Sequence, residues 1–504
     1  MGVYINDLSE YDDSIEFSNA RLDSNLSSTE LLSRPRVSYF LYYPLLLASA
    51  ALLLWLFPTD RMTAVSSAIG TVVGCLMIWE FLFTENVIRF SSVCSIGLVM
   101  GYGFGTLNTW LTLSRAGLPL AVEMGQTVPE LAYGVAAALM GCAVLLLLGE
   151  LFEKPLLTTA QELKVTSGMK RLVLVSAVII AVALAAGKFH QGGVNTASAH
   201  HAGILAEFLQ FLLIPTAIMA GVIFLVEQAR FDKFLFGAII LFFLLLLVTQ
   251  GRVNLVSTVL IIIPLARFFG FRWGQLTIGR LLLVGLVIGF LFFGVITYQL
   301  LRVAGNGLDN YSISAEYGQV QRWAKEGQAW RIASTSSVQN LERRTLLVTF
   351  LSSLLYHAQS EKVALGRDLF LQIEWAIPSA VFPNKPTIAE EDLASRTFHV
   401  FYPDQPNSIF TAGALDFGVW GVMIYPIFVV LLCSMVERIA IGYFSYELAV
   451  FGACLFLVIF IAPEFQMNEY FVAVRNLIAF GVVLYLSSKL PSFQFGAAHS
   501  GAKA

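Results

Sequence analysis

Long apolar runs separated by short polar breaks make up most of the chain. They fall at about Val37–Phe57, Val65–Phe83, Phe90–Leu113, Leu131–Leu151, Leu172–Ala186, Ile204–Val226, Phe234–Val248, Val253–Leu265, Leu281–Leu300, Phe417–Met435, Leu448–Ala462 and Phe471–Leu486. A straight helix needs about 20 apolar residues to cross a bilayer. The pattern therefore predicts an all-α polytopic membrane protein of about twelve transmembrane helices, the shorter ones tilted or partly buried. One long polar segment, Leu301–Asp416, interrupts the pattern before the last three runs. The predicted organisation is a polar tail over 1–36, nine helices over 37–300, a large loop over 301–416, three helices over 417–487 and a tail over 488–504.

Basic residues in short loops set the orientation of such a protein. With the N-terminus in the cytoplasm, that side receives Arg34, Arg36, Arg89, Lys154, Lys164, Lys170, Arg171, Arg230, Lys233, Arg267, Arg272, Arg280 and Arg438. The short loops of the other side hold only Arg61, Arg115, Lys188 and Arg252. The asymmetry predicts that both termini are cytoplasmic. The large loop then faces the periplasm of a bacterial inner membrane, where nucleotide-driven chemistry is not expected.

Composition agrees with the class: 57% of residues are hydrophobic and 13% charged, and the mean hydropathy is +0.74. A net charge of −3 gives no reason to expect a nucleic-acid partner. The five cysteines (Cys75, Cys94, Cys142, Cys433 and Cys454) all lie in apolar runs, which points to small core hydrophobes rather than disulfides or thiolate metal sites. Residues 1–36 are polar and acidic without an apolar stretch of the signal-peptide kind, and are expected to form a cytoplasmic tail.

Polar groups at membrane depth are costly and tend to be functional. Gln250-Gly251-Arg252 breaks an apolar stretch on the predicted outer side, so Arg252 either reaches for lipid phosphates or faces a cavity as a fixed fork for a phosphate or pyrophosphate. Arg475 lies about one turn inside the last helix, after Glu464 and Glu469, so it is either a salt-bridge partner or a second anion ligand. Arg302 follows the ninth run directly. Three arginines from three helix ends would suit an anionic lipid headgroup if they converge. Glu80, near the cytoplasmic end of the second run, is expected to snorkel. The loop histidines His190, His200 and His201 lack the spacing of a zinc site, and no metal or cofactor is expected.

Within the large loop, Ser314–Lys325 has a helical look, and Leu346–His357 is an amphipathic stretch expected to pack on the membrane domain or lie in its interface. Three features follow: Ile377–Pro386 (Ile-Pro-Ser-Ala-Val-Phe-Pro-Asn-Lys-Pro), the helix entry Asp416–Gly421 (Asp-Phe-Gly-Val-Trp-Gly), and the earlier Gln-Gly-Arg break at Gln250–Arg252. With a late, large periplasmic loop, they make the chain resemble the bacterial O-antigen polymerase family and other oligosaccharide repeat-unit polymerases. The resemblance implies transfer between undecaprenyl-pyrophosphate-linked oligosaccharides on the outer leaflet, without cofactor or metal. It also implies a flippase and a chain-length regulator as partners. In that chemistry Arg252 and Arg475, then Arg302, Arg367 and Arg396, would bind and stabilise the pyrophosphate. His399, then Asp416, Asp404 and Glu464, would take the proton of the attacking hydroxyl. Trp323, Trp330 and Trp375 would either stack on sugars or pack in the protein.

Two rival functions share parts of this pattern. An O-antigen-ligase-like transferase would use another acceptor, and a glycolipid transporter or flippase would carry its polar residues through mid-membrane depth. Here charges gather at the outer ends and in the loop. The predicted topology has a direct check: a reporter fused after Glu326 should be active only in the periplasm, and one fused after Leu163 only in the cytoplasm. Cytoplasmic activity of the Glu326 fusion would place the loop on the wrong side for a lipid-linked glycan.

Overall fold

The computed structural model describes residues 39–272 apart from 56–57, 85–86, 116, 124, 155–156, 159–162, 186–203 and 251. It also describes scattered positions within 285–304, residues 313–335, residues 347–462 apart from 379–380, 383–387, 400–405 and 444–445, and residues 467–488. The two tails, most of the run Leu281–Leu300, Arg302, the three outer-loop histidines, Pro383–Pro386, Asp404 and Glu464 lie outside the described residues. Contacts divide the chain into residues 1–42, of which only the start of the first helix is described, and residues 43–504, which hold everything below.

The chain is mostly helical. The apolar runs before the large loop form α1 (Tyr39–Trp55), α2 (Asp60–Trp79), α3 (Phe90–Val99), α4 (Gly105–Arg115), α5 (Val128–Phe152), α6 (Ser167–Ala185), α7 (Ile204–Val226), α8 (Arg230–Gln250) and α9 (Arg252–Phe268). The polar segment contributes α10 (Ile313–Lys325), α11 (Leu347–Ser360), α12 (Arg367–Ala376), α13 (Glu390–Phe398) and α14 (Ile409–Phe417). Three apolar helices follow: α15 (Val419–Tyr443), α16 (Tyr446–Ile461) and α17 (Met467–Ser488). Among the described residues five helices are long and apolar enough to cross a membrane: Asp60–Phe83, Phe90–Arg115, Val128–Phe152, Ser167–Ala185 and Val419–Arg438. Several others are apolar but shorter, among them Leu212–Val226, Asn254–Phe268 and Tyr446–Ile461.

Two of the long helices contain a widened turn. α2 runs on through Glu80–Thr84, and α3 passes into α4 through Met100–Phe104. At the second turn Gly103 lies against the backbone of Ser67 and Gly70 in α2, where a side chain would have no room. The centre of the bundle is α5 and α16. Both are apolar on every side, the mark of a helix surrounded by others, and every residue from Val450 to Phe460 is buried.

The connections gather into two sets. In one set, β1 (Val87–Ile88) pairs antiparallel with β2 (Leu157–Thr158). Arg89 bridges to Glu150 at 2.7 Å, and Lys170 to both Glu227 and Asp232 at 2.6 Å. Arg267 donates to the carbonyl of Leu82, and Thr166 to Glu447. In the other set, the Leu120 amide donates to Asp60, and Gln126 to the carbonyl of Thr349 at the start of α11.

The polar segment is not a loose loop. α11 packs into the bundle against α5, where Gly134 leaves room for Ser352, so of its two expected placements the packed one holds. α14 is wholly buried from Ile409 to Asp416, although it belongs to the segment read as polar. Its start is fixed by a capping box between Ser408 and Thr411. The next membrane helix therefore begins at Val419, after a break at Gly418 with φ +61 that a side chain would strain. α14 and α15 then cross with Gly413 and Gly421 in direct backbone contact. A methyl group at Gly421 would overlap the Gly413 carbonyl. Gly421→Ala is thus expected to destabilise the protein by ~1–3 kcal/mol or more. Gly318→Ala, at an open position in α10, should be neutral or stabilising by up to about 1 kcal/mol. Thermal unfolding of the two variants in detergent checks the contrast.

Candidate functional site

α12 begins after Gly366, whose φ of +85 turns the chain sharply but offers no side chain to cap the helix. The missing acceptor comes from Asp416 at the end of α14. Its Oδ1 accepts from the Asp368 amide at 2.9 Å and its Oδ2 from the Leu369 amide at 3.0 Å. The Tyr425 hydroxyl of α15 donates to the same Oδ2 at 2.6 Å. Two backbone bonds, Ala364 N–H to Leu415 O and Leu365 N–H to Asp416 O, join the turn before α12 to the end of α14 at 2.9 Å each. At the other end, Arg475 of α17 donates from Nη1 to the Ala376 carbonyl at 3.0 Å and from Nε to Asn476 at 3.1 Å. A carboxylate thus faces the positive end of the helix dipole and a guanidinium the negative end. Charge-assisted bonds of this kind contribute ~1.5–3 kcal/mol each.

Around Asp416 the sequence has gathered further carboxyls into a dry space. Asp368 is 1% exposed, and burial together with the neighbouring Asp416 charge pushes its carboxyl up to about 7. Gln372 donates to its Oδ1 at 3.1 Å. Glu390, the first residue of α13, is fully buried, and burial followed by repulsion from Asp368 holds its carboxyl well above the usual range. The nearby Thr411 hydroxyl favours the ionised form but does not offset these effects. Below the cluster, Ser408 shares a 2.7 Å hydrogen bond with Tyr102 of the widened turn, and Asn407 donates to Glu391 at 3.0 Å. Among the described residues no group of three acidic, histidine or cysteine side chains is arranged to hold a metal ion.

The residues expected to act at a site are distributed unevenly over this frame. Arg367 opens α12 and Arg396 lies on α13, both exposed. His399 is exposed and ends α13 in the left-handed region, φ +54, as the residue that stops the helix. Asp416, expected as a second base, is 0% exposed and holds three hydrogen bonds, so the structure gives it a fastening role. Arg475, expected as an anion ligand or an ion-pair partner, is engaged with a backbone carbonyl of the polar segment. Arg252 opens α9 just after the expected break at Gly251, but its side chain lies outside the described residues, as does all of Arg302. The expected meeting of Arg252, Arg302 and Arg475 is therefore described for Arg475 alone.

Three residues that matter here carried no assignment from sequence: Asp368, Glu390 and Tyr425. The spacing of Asp368, Gln372 and Ala376 down one face of α12 is the signal that could have marked the first as buried. Glu390 opens an acidic triplet that looks like a solvated helix start. Beside the cluster, a groove of about 460 Å³ opens between the end of α11 and the start of α15. Its lining includes Tyr133, Gln359, Glu361, Lys362 and Trp420, and Trp420 is 73% exposed.

Fold and site together define a helical protein with bilayer-length apolar helices, carrying a cap of short helices fastened to their ends. No protein-family model, curated protein or solved structure matches the chain.

The cluster makes stability depend on pH. Asp368 ordinarily titrates near 3.8 and in the fold near 7, so the folded state binds the extra proton between these values. Stability should then fall as pH rises from about 4 to about 7, by an amount on the order of a few kcal/mol. Asp368→Asn is neutral throughout and should make that slope shallower while raising stability at neutral pH. Thermal unfolding of wild type and variant from pH 4 to pH 8 checks this, and parallel curves would refute it.

Proposed function

We propose that the chain is a polytopic inner-membrane glycosyltransferase that joins lipid-linked oligosaccharide repeat units into a polysaccharide. Twelve transmembrane helices, both termini in the cytoplasm and the cap in the periplasm complete the reading. The observation that carries it is that the large polar segment is a folded cap, bolted through Asp416 and Arg475 to apolar helices, with Arg367, Arg396 and His399 left exposed on it. A cap so placed holds polar chemistry at the level where a lipid-linked headgroup sits.

The grouping of connections supports the orientation. Every contact of the first set joins loops that the basic residues assign to the cytoplasm, including β1 to β2 and Lys170 to Asp232. Asp60 to Leu120 and Gln126 to Thr349 join loops assigned to the other side. One of the segments carrying the resemblance to O-antigen polymerases also sits at a break in the chain, at Gly418 between α14 and α15.

In this reading an acceptor hydroxyl attacks the anomeric carbon of the donor sugar, and the bond to undecaprenyl pyrophosphate breaks. His399 takes the hydroxyl proton. Arg252 and Arg302, with Arg367 and Arg396 from the cap, stabilise the charge that builds on the departing pyrophosphate. Asp416 and Arg475 act as positioning residues, holding the cap in register with the membrane helices. The substrates are lipid-linked glycans. A flippase that delivers them and a chain-length regulator are the partners such a reaction needs.

Complementation of a deletion strain tests the reading. Arg252→Ala should abolish polymer while the protein still inserts, and Arg252→Lys should restore little, because a point charge replaces a planar fork. His399→Ala and His399→Gln should each slow polymerisation by roughly 10²–10⁴-fold, with single lipid-linked units accumulating. Full-length polymer at the normal rate from Arg252→Ala and from both His399 variants would overturn the assignment.

A further inference from the structure

We infer that α12 and the turn after it lie in the membrane interface, with their outer face embedded among the lipids of the leaflet on the cap's side. This rests on the membrane reading of the apolar helices and is independent of the glycan chemistry. α12 is split lengthwise. Asp368, Gln372 and Ala376 form its buried face, while Phe370, Ile373 and Ile377 fall on the opposite stripe and are exposed. Val381 and Phe382 extend the stripe beyond the helix, with Phe370 61% and Val381 74% exposed.

Its position points to lipid as the occupant. Asp416 holds one end of α12 and stands two residues before Gly418, where the bilayer-length helix Val419–Arg438 begins. Arg475 holds the other end from within the first turns of α17. The helix therefore runs along the boundary at which apolar helices end, from one to another. At ten residues it is about 15 Å long, too short to cross a bilayer and of a length to lie in its plane. Its borders fit a headgroup layer: Arg367 opens the helix, Lys362 is exposed nearby, and the exposed Trp420 sits in the first turn of α15, where aromatic side chains mark the membrane surface. Fastening both helix ends also suits a place where water is scarce, since the terminal amides and carbonyls need partners there.

Site-directed spin labelling in nanodiscs tests this. Nitroxides at Phe370→Cys, Ile373→Cys and Val381→Cys, in a Cys75→Ser background, should collide more often with dissolved oxygen than with a water-soluble nickel chelate. A label at Arg396→Cys on α13 should show the reverse. The Val381 position lies outside the helix, so it remains informative if a helix variant fails to fold. Nickel access at these positions equal to that at Arg396→Cys would overturn the inference. Shielding from both reagents would do so too, because it would mean that protein, whether a partner or a second copy, covers the face.

Discussion

One short helix of the polar segment, α12, is tied at its two ends to two other elements, to α14 through Asp416 and to the apolar helix α17 through Arg475. Asp416 satisfies the amides that open α12, and Arg475 satisfies a carbonyl that closes it. Neither bond is local in sequence: the Arg475–Ala376 contact joins residues 99 apart. A ten-residue helix is marginal in isolation, so α12 exists because its ends and its polar face are completed by other elements. Arg367 is its first residue. α13, with Arg396 and His399, packs on α11 instead, where Phe398 stacks on His357 with ring centroids 5.8 Å apart.

The device is used twice. At the opposite set of connections, Glu153 follows α5 and accepts from the amides of Phe90 and Ser91, capping α3 from a distance as Asp416 caps α12. Burial pushes the Glu153 carboxyl up to about 7, with Ser91, Phe90 and Arg89 opposing the shift. A buried carboxylate at a helix start is stabilised by amides and dipole but costs desolvation. Donors lower that cost, as the Phe90 and Ser91 amides do at Glu153. It is met by protonation where a second acid has few donors left, as at Asp368 and Glu390.

The sequence made the helices legible because apolar runs of this length have few alternatives, and the helical look of Ser314–Lys325 matches the helix Ile313–Lys325. Burial inside the polar segment is harder to read: Ile409–Asp416 is too short to look like a span and adjoins a polar stretch, yet all of it is buried, with Gly413 packed against Gly421. The cluster was illegible for another reason: a carboxylate that caps a remote helix looks, in one dimension, the same as one that takes a proton in catalysis. Asp416 carried the second meaning until its three donors were seen. For Arg475 one partner is a backbone carbonyl, which has no side-chain signature to read.

This arrangement bears on how loss of function in such a protein is interpreted. Tyr425 lies within a helix long enough to cross the membrane, but its hydroxyl reaches Asp416 and through it the first turn of α12. Gly418 and Gly421 act on the same bond, since they set the crossing that carries Asp416 to its place. A change at any of these positions would shift α12, and Arg367 with it, without touching a substrate. Activity loss alone cannot separate fastening residues from reacting ones here; the rate must be read against the position of the cap. The residues whose removal leaves α12 fastened, Arg252, Arg396 and His399 among them, are those for which a lost rate speaks directly of chemistry.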